Sequence, residues 1–104
     1  MSEPAVLVCD LGVWGGAALL AEFDSCDDAI RVNARAVACV RRALGDVAAK
    51  RFVACAVAHE RFHREHPGCA EADAHAFARA TTGDDPASFE AVLRTLGAAR
   101  TASR

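Results

Sequence analysis

The spacing of apolar residues predicts a mainly α fold, a small helical bundle built on an antiparallel αα-hairpin, with a short N-terminal strand or extra helix ahead of it. Three observations lead there. Cys26, Ile30, Asn33, Val37, Val40 and Leu44 recur at alternating spacings of four and three, the period of one helix face. Ala48, Phe52, Cys55, His59, Phe62 and His66 repeat the pattern. Between the two stripes, Gly45-Asp46 is a turn of the kind that joins antiparallel helices.

Each element follows from local signals. Ala5 to Cys9 is apolar and β-leaning, a short buried strand. Asp10-Leu11-Gly12 and Gly15-Gly16 mark turns, and Ala17 to Phe23 reads either as a second strand, closing a hairpin, or as a helix favoured by its Ala, Leu and Glu content. Ser25-x-x-Asp28 resembles a capping box and starts a helix that runs to Leu44. Asp46 starts the next, which Pro67-Gly68 ends after His66. A third helix is expected over 69–80, with Ala70, Ala74 and Phe77 inward and His75 on the opposite side. A fourth starts at Asp85-Pro86 with Phe89, Val92, Leu93 and Leu96 buried and Gly97 closing it, and the tail from 98 is frayed. Counting outward from the turn of the hairpin places Asn33 beside His59 and Cys26 beside His66.

A chain of 104 residues fits one domain over 1–104, with 1–23 as a glycine-containing N-terminal segment, 25–66 as the hairpin and 69–97 as two shorter helices. A formal net charge of −2, with no basic patch interleaved with aromatics, speaks against nucleic acid as a partner. Residues 5–21 are interrupted by Asp10 and several glycines, which speaks against a membrane span. The cysteines Cys9, Cys26, Cys39, Cys55 and Cys69 are odd in number and widely spaced, and no secretory signal precedes them, so an intracellular, cytoplasmic protein is expected. Cys39, flanked by arginines, is expected to face another helix. Trp14 either covers the core or anchors a partner.

Chemistry concentrates in residues 57–69. His59-Glu60-Arg61-Phe62-His63 is a literal H-E-x-x-H. Two histidines four apart on one helix face can bind zinc while the intervening glutamate polarises the metal-bound water. Over this pentapeptide the chain resembles the zincin metallopeptidases. The resemblance implies His59 and His63 as ligands and Glu60 as the catalytic base, with Glu71, Asp73 or His75 as a third ligand. Charged Arg61, Arg64 and Glu65 depart from the uncharged residues of that family's pattern. A different set, His63, His66 and Cys69, joined by Cys26 across the hairpin, makes a Cys2His2 clip for a structural zinc. Without a metal, Asn33 and His59 form a buried polar pair, and Glu60 with Arg64 a surface ion pair four residues apart.

Two further patterns add less. Glu60-x-x-His63 matches the ligand pair of di-iron carboxylate bundles, which also need an inward glutamate on a neighbouring helix. Asp10-x-Gly12 after an apolar strand resembles the opening strand of actin-like ATPases and ribonuclease H-like nucleases, whose aspartate binds a metal ion. With the remaining chain read as helical, Asp10 is a solvated turn residue. The resulting expectation is a small intracellular protein-interaction module. It binds another protein, self-associates as a homodimer, and holds either no cofactor or a structural zinc; Val32, Val53 and Val57, outside the core stripes, meet either the third and fourth helices or a second subunit. The alternative is a zinc-dependent hydrolase using the HERFH segment.

Overall fold

The structure is a computed structural model, described over residues 3–14, 17–18, 20–84 and 89–94, with only the backbone of residues 13, 14, 17 and 18. Strands β1 (Ala5–Cys9), β2 (Val13–Trp14), β3 (Ala17–Ala18), β4 (Ala21–Asp24) and β5 (Ala29–Asn33) precede helices α1 (Ala34–Leu44), α2 (Asp46–Glu65) and α3 (Glu71–Thr82). Residues 89–94 are again helical. β5 is the central strand of a three-stranded sheet of order β1-β5-β4, parallel to β1 and antiparallel to β4. β2 and β3 form a separate two-stranded ribbon.

The molecule is therefore an α/β fold and not the mainly α bundle that the apolar spacing predicts. The departure lies in residues 13–33. Ile30 and Val32 are fully buried and Arg31 between them is not, the alternation of a strand. Asp28 sits at φ +50°, in the left-handed region that a helix interior excludes. The Asp24 carboxylate accepts the Cys26 N–H at 2.9 Å, closing residues 25–28 into a turn. Arg31 then clamps that turn, 3.0 Å from Asp24 and 2.8 Å from Asp27. Ser25 and Asp28 thus lie in a β-turn and cap no helix. Nor is Ala17 to Phe23 a helix: Ala17 and Ala18 pair with β2, and Ala21 and Phe23 pair with Val32 and Ile30.

Asn33 marks the real start of α1. It is completely buried, and its Oδ1 accepts the N–H groups of Arg35 (3.1 Å) and Leu11 (3.2 Å). Its Nδ2 donates to the Gly12 carbonyl at 3.0 Å. One side chain thus caps the helix and ties down the loop after β1, so Asn33 is a cap and not the partner of His59. The helix ends follow the sequence signals. Gly45 at φ +97° separates α1 from α2, Pro67-Gly68 follows α2, and Gly83 closes α3 in the left-handed conformation. Asp46 lies one residue inside α2, where it pairs with Arg41 at 3.0 Å.

Helices α1 and α2 cover the sheet face that carries Ile30 and Val32, and the core forms there with Ala36, Val37, Val40, Ala49, Phe52, Phe89 and Leu93. Val53 and Val57 pack against the same core. Cys39 is buried, with its thiol 3.4 Å from the Val92 carbonyl, so it faces the 89–94 helix. Each fully buried Ile or Val contributes about 1.5–3 kcal/mol of burial free energy. β1 is an edge strand, and its expected burial does not occur. Val6, Leu7 and Val8 are 43%, 46% and 52% exposed. A second, smaller cluster of Cys55, Ala58 and Ala78, with Phe77 against it, joins α2 to α3. No helix among the described residues is long and apolar enough to cross a membrane. The calls on Asp85, Pro86, Leu96, Gly97 and the tail lie outside the described residues, as does the Trp14 side chain.

Candidate metal centre

The site stands where α3 folds back on α2. Ala74 and Ala78, both fully buried, are the stripe that α3 sets against α2. Small residues there let the two helices approach closely. Glu71 and His75 lie on the rim of that stripe, four residues apart, and His59 and His63 hold the same spacing on α2. The two i,i+4 pairs meet. Glu71 bridges both α2 imidazoles, with its carboxylate oxygens 2.9 Å from His59 Nε2 and 3.0 Å from His63 Nε2. The two Nε2 atoms are 3.2 Å apart, and the His75 ring packs against that of His59 with centroids 4.7 Å apart. Ligand atoms of His59, Glu71 and His75 all fall within 4.8 Å of one another.

Electrostatics suit metal binding. Burial pulls the His59 imidazole below its ordinary range, against the attraction of Glu71, and the neighbouring His75 and His63 push it the same way. His59 therefore stays neutral near pH 7, the form that ligates metals. Glu60, its side chain only 13% exposed, has its acidity weakened chiefly by burial; Glu71 and Glu22 add to this and His63 opposes it. Its carboxylate lies 3.7 Å from His59 Nε2. A cleft of about 560 Å³ opens beside the cluster, lined by Glu60, His59, His63, Glu71 and His75 at one end and by apolar groups including Phe23, Phe52, Phe89 and Leu93.

The structure sorts the sequence candidates. His59 and His63 converge, and Glu71 and His75 join them, whereas Asp73 is exposed and outside the cluster. His75 was expected to face away. The inward stripe of α3 runs through Ala74 and Ala78 and not through exposed Ala70, and this shift turns His75 toward His59. Of the Cys2His2 clip, only His63 and Cys69 meet, with Sγ 3.3 Å from Nδ1. His66 is exposed and stacks on Phe62, its Nδ1 3.2 Å from the Phe62 carbonyl. Cys26 is exposed on the β4–β5 turn, because that segment is not helical. Arg64 binds Asp28 at 2.7 and 3.0 Å, so it forms no surface pair with Glu60. Asp10 accepts the Gly12 N–H at 2.8 Å and pairs with Arg35 at 2.7 Å, in keeping with a turn residue.

No protein-family model matches the chain, and no curated protein or solved structure matches it either.

Proposed function

We propose that this protein binds a zinc-class divalent metal at the α2–α3 junction and serves as a metal-dependent hydrolase acting on a ligand held in the adjoining cleft. The observation that carries this reading is the meeting of two i,i+4 pairs, His59/His63 and Glu71/His75, at the end of a cleft that Glu60 also lines. Two imidazoles and one carboxylate, His59, His75 and Glu71, are a ligand set that leaves a fourth tetrahedral position open. A bound metal would supply an acidified water at that position. His63 shares the Glu71 carboxylate and holds it in place. With the metal bound, Glu60 would be the residue to take a proton from that water, and burial weakens its acidity in the direction that suits a general base. Metal content measured after purification without a polyhistidine tag tests the first half. Turnover of an ester and peptide panel by the metal-loaded protein tests the second. Glu60→Gln is expected to keep the metal and lose turnover by about 100-fold or more. Absence of metal from wild type, with none taken up on addition, would end the reading.

A second reading, the interaction module, is favoured by β1. A strand with three exposed apolar residues and no outer neighbour among the described residues is a template for pairing with another copy of the chain. Sedimentation should then show a dimer that Val8→Lys converts to monomer. A wild-type monomer at high concentration contradicts it. Five free cysteines fit a reducing, intracellular setting for either reading.

A further inference from the structure

The lining of the cleft has a consistent chemistry beyond its metal-binding end. Among the described residues its charged groups are the carboxylates of Glu22, Glu60 and Glu71 and the three imidazoles, with no lysine or arginine. Glu60 has no Lys or Arg ion pair among the described residues. Glu22 comes within 4.0 Å of Arg31, but that guanidinium is already held at 3.0 and 2.8 Å by Asp24 and Asp27, which leaves Glu22 its loosest partner. The rest of the lining is mainly aromatic and aliphatic. Phe52 and Phe89 meet edge to face with centroids 5.4 Å apart, beside Phe23 and Leu93. A volume of about 560 Å³ lies within the range of small-molecule sites and is far too small for a folded partner.

We propose that the cleft binds a small amphipathic amine, its ammonium group between Glu22 and Glu60 and its apolar body against Phe23, Phe52, Phe89 and Leu93. The argument is charge complementarity combined with shape. An anionic ligand would meet three carboxylates and, among the described lining residues, no lysine or arginine. A neutral apolar ligand would leave the Glu60 carboxylate desolvated without a donor. An ammonium supplies that donor, and a charge-assisted hydrogen bond is stronger in a water-poor cleft than at the surface. Primary-amine compounds with one aromatic or branched aliphatic group are the class that fits, and the free amino terminus of a short peptide with such a side chain belongs to it. The inference rests on the proposed function in its location and shares Glu60 with it, while the ammonium lies beside the metal position and does not occupy it.

The test uses the full chain, stripped of metal with a chelator, and three probes of one shape: 2-phenylethylamine, 2-phenylethanol and 3-phenylpropanoate. Affinity is read by calorimetry or by NMR shifts. The amine is expected to bind about tenfold or more tightly than the alcohol, and the carboxylate least. Glu22→Gln and Glu60→Gln should each shrink the preference for amine over alcohol. Glu22 belongs to no metal ligand set, so its variant reports on the amine alone. Equal binding of amine and alcohol, tightest binding of the carboxylate, or binding of none of the three overturns the inference. Zinc titration of the same preparation separates the two claims. Metal uptake without amine preference overturns the amine site only, and amine preference without metal uptake overturns the metal reading only.

Discussion

The two halves of α2 meet different surfaces. Its N-terminal half sets Ala49 and Phe52 into a core of Ile30, Val32, Val37 and Val40, where nothing polar is needed. Its C-terminal half packs on α3 through the small residues Ala58 and Ala78 and then presents His59 and His63 to Glu71 and His75. A helix pair that required only stability would place apolar side chains at the largely buried positions 59 and 63, whereas Glu71 and His75 reach over from the exposed rim. Half-buried imidazoles that share one carboxylate add little to folding and create a place where a cation is favoured. The difference teaches that one helix can carry the scaffold at one end and the chemistry at the other.

Substitutions should separate the two halves, and the largest effect belongs to the core. Ile30→Ala removes a fully buried side chain and is expected to cost about 2–5 kcal/mol in urea unfolding. A loss below 1 kcal/mol would mean that the sheet does not organise this core. At the other half, His59→Leu should leave the metal-free protein at least as stable as wild type. It should abolish the stabilisation by zinc, about 2.7 kcal/mol for wild type at zinc 100-fold above its Kd. Thermal melts with and without zinc check both. Asn33→Ala comes next. It deletes a cap and the Asn33 contacts to the Leu11 N–H and the Gly12 carbonyl, for a loss of about 1–3 kcal/mol.

The smallest effect is expected at Asp28. Its bond to Arg64 holds the Asp28 carboxyl below its ordinary range, so the folded state keeps this group ionised to lower pH than the unfolded chain does. The resulting stabilisation is present above the unfolded value of 3.8 and fades as pH falls through the lower folded value. Asp28→Asn, which tolerates the left-handed backbone, should lower stability slightly at neutral pH and change little in strong acid, and so flatten the acid limb of a stability-against-pH curve. An unchanged acid limb would show that the Arg64 contact does not persist in solution.

Much of this architecture is legible in the sequence, and the illegible part has a physical cause. The ends of α1, α2 and α3 are written in Gly45, Pro67-Gly68 and Gly83, because few other residues end helices so sharply. β4 and β5 are hidden because Ile30 fits both a helical stripe and an alternating strand. The Ala-, Leu- and Glu-rich stretch before it has helix propensity that strand pairing overrides. Val32, off the helical stripe yet fully buried in the strand, distinguishes the two readings. At the site, His59 and His63 are readable from their spacing alone. Glu71 and His75 have the same spacing, but their direction depends on which alanines of α3 face α2, and an Ala-rich helix carries little signal about that.

The central claim is that the α2–α3 junction holds a metal, and calorimetric titration of zinc into chelator-stripped protein tests it most directly. Wild type should take up one zinc per chain, Asn33→Ala should still bind while folded, and His75→Ala should lose most of the affinity. Failure of wild type to bind zinc, or an unchanged isotherm for His75→Ala, would contradict the account.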